Sequence, residues 1–318
     1  MKPLRIGTRG SSLALWQANH IAGLLAERHG IETELVRIRT AGDRLQSASV
    51  AQVNAAIGSE SSSKGIFIKE LEEALLAGAI DLAVHSMKDV PTEIPAGLAF
   101  AAITRREDPR DCLISREGAT LETLAAGATV GTSSLRRQAQ LRHHRPDIQA
   151  LDLRGNVDTR LQKLDAGKFD AVVLAVAGVN RLGLSGRITQ ILNEDVMLPA
   201  VGQGALGIET RANDAETSRV AVSLDDAETR ACITAERALL HELQGGCQVP
   251  LGASAHLVAG EIRIEAAVFS ADGAEFVRRD ARGAQADPAA VGKLLGKILL
   301  EAGAGRILRL AGRTVAQG

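Results

Sequence analysis

Short apolar runs alternate with amphipathic segments through the first two thirds of this chain, and this alternation limits the folds that it can adopt. Strand-then-helix alternation is typical of βαβ units, in which helices cover a parallel sheet. The chain is therefore predicted to be an α/β protein with doubly wound sheets. The predicted strands cover residues 4–8, 33–39, 80–85, 98–103, 112–115, 129–132, 148–153, 171–176 and 205–211.

Two breaks in this pattern divide the chain. The alternation restarts near Asp111, and after residue 227 it gives way to a long helix, a hairpin around residues 271–273 and a final helix over 288–302. A length of 318 residues suits two or three domains. We predict two α/β domains and a small C-terminal α+β domain. Their ranges are 1–104 with 204–224, then 105–203, and finally 225–318.

The sequence also marks two early helices and a long loop. Apolar spacing after Ser12 predicts a helix that ends at Gly30, and a second helix is predicted over residues 64–78. Residues 47–63 are rich in Ser and Ala and show little periodic pattern. We therefore predict a mobile loop between the two helices.

Arginine dominates the basic residues of this chain. Of the 37 Lys and Arg residues 29 are Arg, although the net charge is only −1. A net charge so close to zero does not attract the protein as a whole to nucleic acid or membrane. Individual guanidinium groups, however, form bidentate hydrogen bonds with carboxylate and phosphate. A GC-rich genome that favours arginine codons explains part of the excess. The positions of the arginines in the predicted fold are therefore needed to distinguish functional arginines from those that reflect codon usage.

Several arginines follow predicted strands, which is where α/β folds bind ligands. Neighbouring Gly and Ser residues let backbone N–H groups approach an anion there. Each arginine alone is more simply a solvated surface charge, but their recurrence favours an anion site. No phosphate-binding glycine pattern lies between strand and helix, so nucleotide binding has weak support. The arginines concerned are Arg9, Arg136, Arg137, Arg154, Arg160 and Arg181.

Three other residues have competing interpretations. Asp89 is either a turn carboxylate before Pro91 or a cleft carboxylate that stabilises a cation and transfers protons. Cys247, between Gly246 and a nearby proline, is either a small buried residue or a loop thiol that acts as a nucleophile. His85 is interpreted as a buried strand histidine, because no metal partners stand at useful spacing.

The remaining cysteines and the absence of long apolar runs set further expectations. Cys112 and Cys232 fall in apolar or helical patterns and are predicted to be structural. Without CxxC spacing, neither a disulfide framework nor a zinc ribbon is expected. The sequence shows no signal-peptide pattern, and no run reaches about 18 apolar residues. We therefore expect a cytoplasmic protein with reduced thiols and no membrane span.

Seven segments together resemble one enzyme family. They are GTRGSSLA (7–14), KGIF (64–67), HSMKDVP (85–91), GTSSLRR (131–137), LRGNVDTR (153–160), LPAVGQG (198–204) and GGCQVPLG (245–252). In this order they make the chain resemble the hydroxymethylbilane synthase family, also called porphobilinogen deaminases, over essentially its whole length. The resemblance implies two α/β domains like those of periplasmic binding proteins, plus a small α+β domain that carries the cysteine.

The resemblance also implies an activity. Enzymes of this family are transferases of tetrapyrrole biosynthesis, which join four porphobilinogen molecules with loss of ammonia into linear 1-hydroxymethylbilane. They use a dipyrromethane cofactor, expected here as a thioether on Cys247. The growing chain gathers carboxylates, and one unpaired like-charge contact at about 4 Å costs about 4 kcal/mol at an effective dielectric of roughly 20. Arginine clamps are expected to offset that repulsion.

The family pattern gives expected roles to individual residues. Asp89 is the expected catalytic carboxylate, which stabilises a cationic intermediate and relays protons. The expected cofactor contacts are Ser86, Lys88, Asp89, Ser134, Arg136, Arg137 and Cys247. The expected substrate contacts are Arg9, Ser11, Phe67, Arg154, Arg160, Arg181 and Gln203. We expect no metal, and the family default is a monomer that binds porphobilinogen but neither nucleic acid nor membrane.

Three other protein classes share parts of this pattern. A solute-binding protein would also have two α/β lobes around an anion cleft, but that class of protein gives Cys247 no function. A cysteine hydrolase needs a positioned histidine, and the nearby His241 is predicted to lie on a helix face. A nucleic-acid binder would explain the arginines, but an aromatic content of 2% supplies few stacking platforms. Growth in mass with porphobilinogen distinguishes the enzyme from all three.

Overall fold

The computed structural model describes residues 3–40, 68–243 and 249–316. The loop predicted over residues 47–63 lies outside the described residues. The chain divides into two compact units, each built from two separate stretches of sequence. Unit 1 comprises Met1–Arg106 with Ala205–Arg230, and unit 2 comprises Glu107–Gly204 with Ala231–Gly318.

The strands and helices follow one another largely where the apolar pattern predicts them. The described strands are β1 (Leu4–Thr8), β2 (Thr33–Arg37), β3 (Leu82–Ser86), β4 (Leu98–Ile103), β5 (Asp111–Ser115), β6 (Thr129–Gly131), β7 (Gln149–Leu151), β8 (Ala171–Ala175), β9 (Gln190–Ile191), β10 (Leu206–Arg211), β11 (Leu251–Val258), β12 (Glu261–Phe269) and β13 (Phe276–Ala284). The described α-helices are α1 (Ser12–His29), α2 (Lys69–Leu76), α3 (Leu135–His144), α4 (Val157–Asp165), α5 (Val176–Arg181), α6 (Ala215–Val222), α7 (Ala227–Glu242), α8 (Pro288–Glu301) and α9 (Ala304–Ala316). In the part of the chain that the structure describes, no helix has the length and apolar character to cross a membrane.

Unit 1 contains a five-stranded sheet with the strand order β2-β1-β3-β10-β4. Helix α1 covers one face, where Ile21 and Leu25 join the core formed by the strands. Helix α2 covers the other face, where Leu71 and Leu75 pack with Ala83 of β3. The sheet therefore buries side chains on both of its faces, as the apolar runs in the sequence predict.

Unit 2 contains two sheets, a five-stranded sheet with the order β7-β6-β8-β5-β9 and a three-stranded sheet with the order β11-β12-β13. The turn between β12 and β13 packs on helix α3, where Arg142 Nη1 donates a hydrogen bond of 2.6 Å to the carbonyl of Ala271. A Cβ at Gly273 would lie 2.5 Å from the carbonyl oxygen of Ala139, so this turn has no room for a side chain. The predicted α/β class with a smaller α+β part is confirmed, whereas the three domain ranges stay a prediction.

Both five-stranded sheets are mixed, which corrects the prediction of parallel sheets. Strand β10 runs antiparallel to β3 and β4, and β5 runs antiparallel to β8 and β9. A βαβ crossover makes neighbouring strands parallel, because the helix returns the chain to the same end of the sheet. The chain enters β5 from unit 1 and returns to β10 from unit 2. Neither strand follows such a crossover, so neither has to run parallel to its neighbours.

Strand β11 and helix α9 are additions to the sequence-based prediction. The sequence of β11, LGASAHLV, is rich in small residues that have low strand propensity. Its inward side chains, Leu251, Ala253 and Ala255, are nevertheless buried in the core of the three-stranded sheet. Tertiary packing therefore overrides the local preference of this segment.

Gly292 allows close packing of helix α8 on helix α7. A Cβ at Gly292 would lie 2.0 Å from the carbonyl oxygen of Ala235, so the helices must separate to admit it. Gly292→Ala is expected to lower the free energy of unfolding by about 1–3 kcal/mol, measured by urea unfolding. The matched control is Gly23→Ala in α1, where a Cβ meets nothing within 4 Å. It should stabilise the protein by up to about 1 kcal/mol, and a loss of similar size in both variants would contradict this packing argument.

Candidate active site

The residues predicted to act in unit 1 lie at one edge of its sheet. Strands β1, β2 and β3 are parallel, so their carboxyl ends meet at that edge. Arg9 follows β1, and Ser11 caps helix α1 by accepting a hydrogen bond of 3.3 Å from the Ala14 amide. Strand β3 ends at Ser86 and is followed by a 3₁₀ turn, Met87–Asp89. The predicted catalytic carboxylate and an arginine therefore share an edge.

Three of the predicted residues line a pocket of about 40 Å³ in unit 1. Its walls include Arg9, Ser86 and Asp89, together with His85 and Gln17. Gln17 donates a hydrogen bond of 2.9 Å to the Ser86 hydroxyl and is only 4% exposed. The pocket is about the size of one or two water molecules, so it has room for a single functional group and not for a whole ligand. The sequence analysis did not select Gln17, because a glutamine within an amphipathic helix carries no distinctive signal.

The predicted anion-binding residues of unit 2 also lie at one edge of a sheet. Strands β6, β7 and β8 are parallel, and the predicted residues follow their carboxyl ends. The Ser134 hydroxyl caps helix α3 by accepting a hydrogen bond from the Arg137 amide. Strand β5 begins at this edge, because Asp111 pairs with Ala175 at the end of β8. The edge therefore combines several arginines with one carboxylate.

Asp111 is the centre of a buried ionic cluster at this edge. Its carboxylate accepts hydrogen bonds of 2.7 Å from Arg136 Nη1 and from Arg137 Nη2. Gln203 Nε2 donates to the same carboxylate at 2.9 Å. Asp111 is fully buried, and both arginines are 5% exposed. Three residues predicted to contact ligands are thus held by an internal carboxylate that the sequence analysis named only as the point near which the strand–helix alternation restarts.

The charge of this cluster is not balanced. Burial alone would raise the pKa of Asp111, but Arg136 and Arg137 outweigh it and hold that pKa well below its usual range. Two guanidinium groups beside one carboxylate leave a surplus positive charge. Among the described residues, Arg136 Nε and the Ser133 hydroxyl are buried without a hydrogen-bond partner. Buried donors of this kind are costly unless a ligand pairs with them, so the cluster fits an anionic group.

Two of the other three arginines predicted in unit 2, Arg160 and Arg181, contact backbone carbonyls through their side chains. Arg160 Nε donates to Gly155 at 2.8 Å, and Arg181 Nη2 donates to Gly204 at 2.7 Å. Burial lowers the pKa of Arg181 to about 10, while the nearby negative charge of Glu107 opposes that shift. Arg154 is half-buried, and its carbonyl accepts a hydrogen bond from Lys163. The side chains of Arg160 and Arg181 therefore support the turns at Gly155 and Gly204.

The cysteines differ in what the structure shows of them. Cys247 lies outside the described residues, as does Phe67. Cys112 and Cys232 are both buried. Burial and the charge of Asp111 raise the pKa of Cys112 to about 12, so this thiol is not a nucleophile at neutral pH.

Comparison with known proteins identifies similar sequences over nearly the whole chain. Residues 4–219 match the family described as "Porphobilinogen deaminase, dipyromethane cofactor binding domain", and residues 230–301 match "Porphobilinogen deaminase, C-terminal domain". A porphobilinogen deaminase of Syntrophobacter fumaroxidans is 47% identical over 306 residues, which cover 96% of each chain.

Two solved structures match part of this chain at low sequence identity. The VFT2 domain of BvgS from Bordetella pertussis is 16% identical, with 70% of this chain and 86% of that chain covered and a TM-score of 0.42. A periplasmic substrate-binding protein of an ABC transporter from Coxiella burnetii is 13% identical, with 70% and 91% covered and a TM-score of 0.42. At these TM-scores, neither neighbour adds to what the sheets of this chain show by themselves.

Proposed function

This chain belongs to the porphobilinogen deaminase family. From that membership we propose which of its residues bind the cofactor, which bind the substrate and which transfer protons. The enzyme joins porphobilinogen molecules, with loss of ammonia, into the linear tetrapyrrole hydroxymethylbilane. Its cofactor is a dipyrromethane. The surplus positive charge around Asp111 is the observation that carries the assignment of roles, because both substrate and cofactor bear carboxylates.

The edge of unit 2 is proposed to hold the cofactor. When bound, the dipyrromethane supplies the pyrrole end to which porphobilinogen units are added. Arg136, with its buried and unpaired Nε, and the Ser134 hydroxyl are proposed to bind its carboxylates. Arg137 supplies further positive charge to the same cluster. Asp111 fixes both guanidinium groups in orientation, so they do not reorganise when an anion arrives.

The edge of unit 1 is proposed to supply the proton chemistry. Asp89 lines the pocket with Arg9 and Ser86, and a carboxylate there stabilises positive charge that develops on the substrate when ammonia leaves. The same carboxylate can hold and return a proton. Gln17 fixes the Ser86 hydroxyl, which is proposed to contact the cofactor together with Lys88.

The remaining assignments rest on position in the sequence and at the two edges. Arg9, Ser11, Arg154, Arg160, Arg181, Gln203 and Phe67 are proposed to bind the substrate and the growing chain. Cys247 is proposed to anchor the cofactor through a thioether. A monomeric, cytoplasmic enzyme is proposed on the basis of family membership.

The intact mass of the denatured, purified protein tests this proposal. We expect an excess equal to two porphobilinogens less two ammonias, and its absence in Cys247→Ser. Adding porphobilinogen to the parent should then give stepwise increments of one pyrrole unit. Cys112→Ser is the matched control, because this thiol is buried, and it should keep the excess mass. A Cys247→Ser protein that still carries the excess would remove Cys247 as the anchor, and a mass that stays fixed with substrate would contradict the function.

A further inference from the structure

A buried glutamine of helix α3 holds the backbone of a residue that is distant in the sequence. Gln140 is 1% exposed, and its side-chain oxygen accepts a hydrogen bond of 2.8 Å from the Leu198 amide. Its Nε2 donates a hydrogen bond of 3.1 Å to the carbonyl of the same residue. The side chain therefore pairs with the Leu198 backbone through one donor and one acceptor, as a neighbouring strand would. The roles proposed above do not use this glutamine.

The arginine cluster holds Leu198 as well. Arg136 Nη1 donates a hydrogen bond of 2.5 Å to the Leu198 carbonyl and another of 2.7 Å to Asp111. The Leu198 side chain is fully buried and belongs to the same core cluster as Ala139. Positions 136, 139 and 140 lie on one face of helix α3. This face therefore fixes Leu198 relative to a guanidinium group that is proposed to bind the cofactor.

Strand β11 packs against the same short segment. A Cβ at Gly252 would lie 2.6 Å from Leu198 Cβ and 2.8 Å from its carbonyl oxygen, so strand and segment are in close contact. The Ala253 amide donates a hydrogen bond of 2.9 Å to the carbonyl of Pro199. Leu198 and Pro199 therefore connect helix α3 to β11, and we call these two residues the α3–β11 link.

Strand β11 follows closely after the proposed cofactor anchor in the sequence. Cys247 lies outside the described residues, but Val249, two positions later, packs against the core of the three-stranded sheet. Leu251 then begins β11. Because so few bonds separate Cys247 from Val249, the position of the strand limits where the thiol can lie. The α3–β11 link therefore relates the position of the proposed anchor to that of the arginines.

We propose that Gln140 is a positioning residue of the deaminase, which holds the α3–β11 link in place and so sets the position of the cofactor anchor relative to Arg136 and Arg137. The inference rests on the proposed function, because it requires a cofactor that is attached at Cys247 and bound through its carboxylates. A cofactor held in both ways has little freedom at its pyrrole end, and a misplacement of about 1 Å can reduce a rate by about 10²-fold. Gln140 acts through the link and takes no bond-making step.

The test combines Gln140→Met with Cys247→Ser in a double-mutant cycle of unfolding temperatures. Gln140→Met keeps the length of the side chain but removes both hydrogen bonds to Leu198. Cys247→Ser removes the cofactor and its contacts with the arginines, so it should destabilise the parent. In the Gln140→Met background this loss should be smaller by about 2 °C or more, because anchor and arginines no longer match in position. A purely structural glutamine would give additive losses instead.

Turnover provides a second measurement. Gln140→Met should keep the excess mass of the cofactor but reduce kcat by about 10–10²-fold, with KM changing less. Gln190→Met is the matched control, because this glutamine also accepts a hydrogen bond from a backbone amide, that of Leu121 at 2.7 Å. Its strand, β9, carries none of the proposed ligand contacts. Its effect should be additive with that of Cys247→Ser, and its kcat should stay within about twofold of the parent.

Gly252→Ala disturbs the same link from β11, through the contact with Leu198, and should give the same non-additive result. It decides alone if Gln140→Met does not fold. Additive losses, or a kcat close to that of the parent, would overturn the proposal and leave the proposed function standing. A parent without the excess mass would refute the proposed function, and this inference with it.

Discussion

Asp89→Ala is expected to reduce the turnover of porphobilinogen by about 10²–10⁴-fold while the protein stays folded. The carboxylate lies in the 3₁₀ turn after β3, half-buried at the pocket that Arg9 and Ser86 also line. Within the described residues no salt bridge includes Asp89, so its removal leaves no buried charge uncompensated. The lost function is stabilisation of positive charge, together with proton transfer, at the position where ammonia leaves.

The measurement pairs a turnover assay at saturating substrate with thermal unfolding of the same preparation. Glu93→Gln is the matched control, because this exposed carboxylate lies four residues along the same segment and should leave both quantities close to those of the parent. Asp89→Asn tests the charge directly, since it keeps the shape of the side chain. Near-normal turnover in Asp89→Ala, or early melting that accounts for the lost activity, would remove Asp89 from the mechanism.

Asp111→Ala is expected to lower the free energy of unfolding by about 3–5 kcal/mol, because it leaves two buried guanidinium groups without their shared partner. The loss should exceed that of Asp165→Ala, which breaks an exposed pair with Arg187 and should cost at most about 1 kcal/mol. Urea unfolding of the two variants beside the parent measures both quantities. Equal losses would show that the buried cluster is no more important to stability than a surface ion pair.

The same carboxylate makes stability depend on pH in acid. The pKa of Asp111 in the folded protein lies below the value of about 3.9 that an unfolded chain shows. A depressed pKa contributes stability that is complete above the unfolded value and is lost as pH falls toward the folded one. The parent should therefore lose stability faster than Asp111→Ala as the pH decreases below about 4. Parallel pH profiles would contradict an ionised Asp111 in the fold.

Local pattern predicted the elements well where each strand carries its own apolar run. β1 and β4 match their predicted ranges, and the first helix begins at Ser12 and is capped by Gly30 in a left-handed conformation, as predicted. The directions of β5 and β10 could not be predicted in this way. Direction depends on the route by which a strand enters the sheet, and neither strand belongs to a local βαβ unit.

The residues of the candidate site were likewise predictable from the sequence only in part. Arginines after strands are visible in a sequence, because residue type and topological position together suggest an anion site. The role of Asp111 is not visible, because the sequence cannot show that Arg136, Arg137 and Gln203 converge on one carboxylate from helix α3 and the distant 198–204 segment. The pairing of His85 with Glu209 likewise joins residues that lie 124 positions apart.

The place of β10 in the sheet of unit 1 has a consequence for synthesis on the ribosome. β10 lies between β3 and β4, yet all of residues 107–204 are translated after β4 and before β10. At translation rates of about 5–20 residues per second, this interval lasts roughly 5–20 s. During that time the nascent strands β3 and β4 have an unfilled gap between them, with unpaired backbone groups that can attract other chains. A ribosome that stalls before residue 206 therefore presents an open sheet to chaperones, because the sheet begun by residues 1–106 is completed only when β10 has been synthesised.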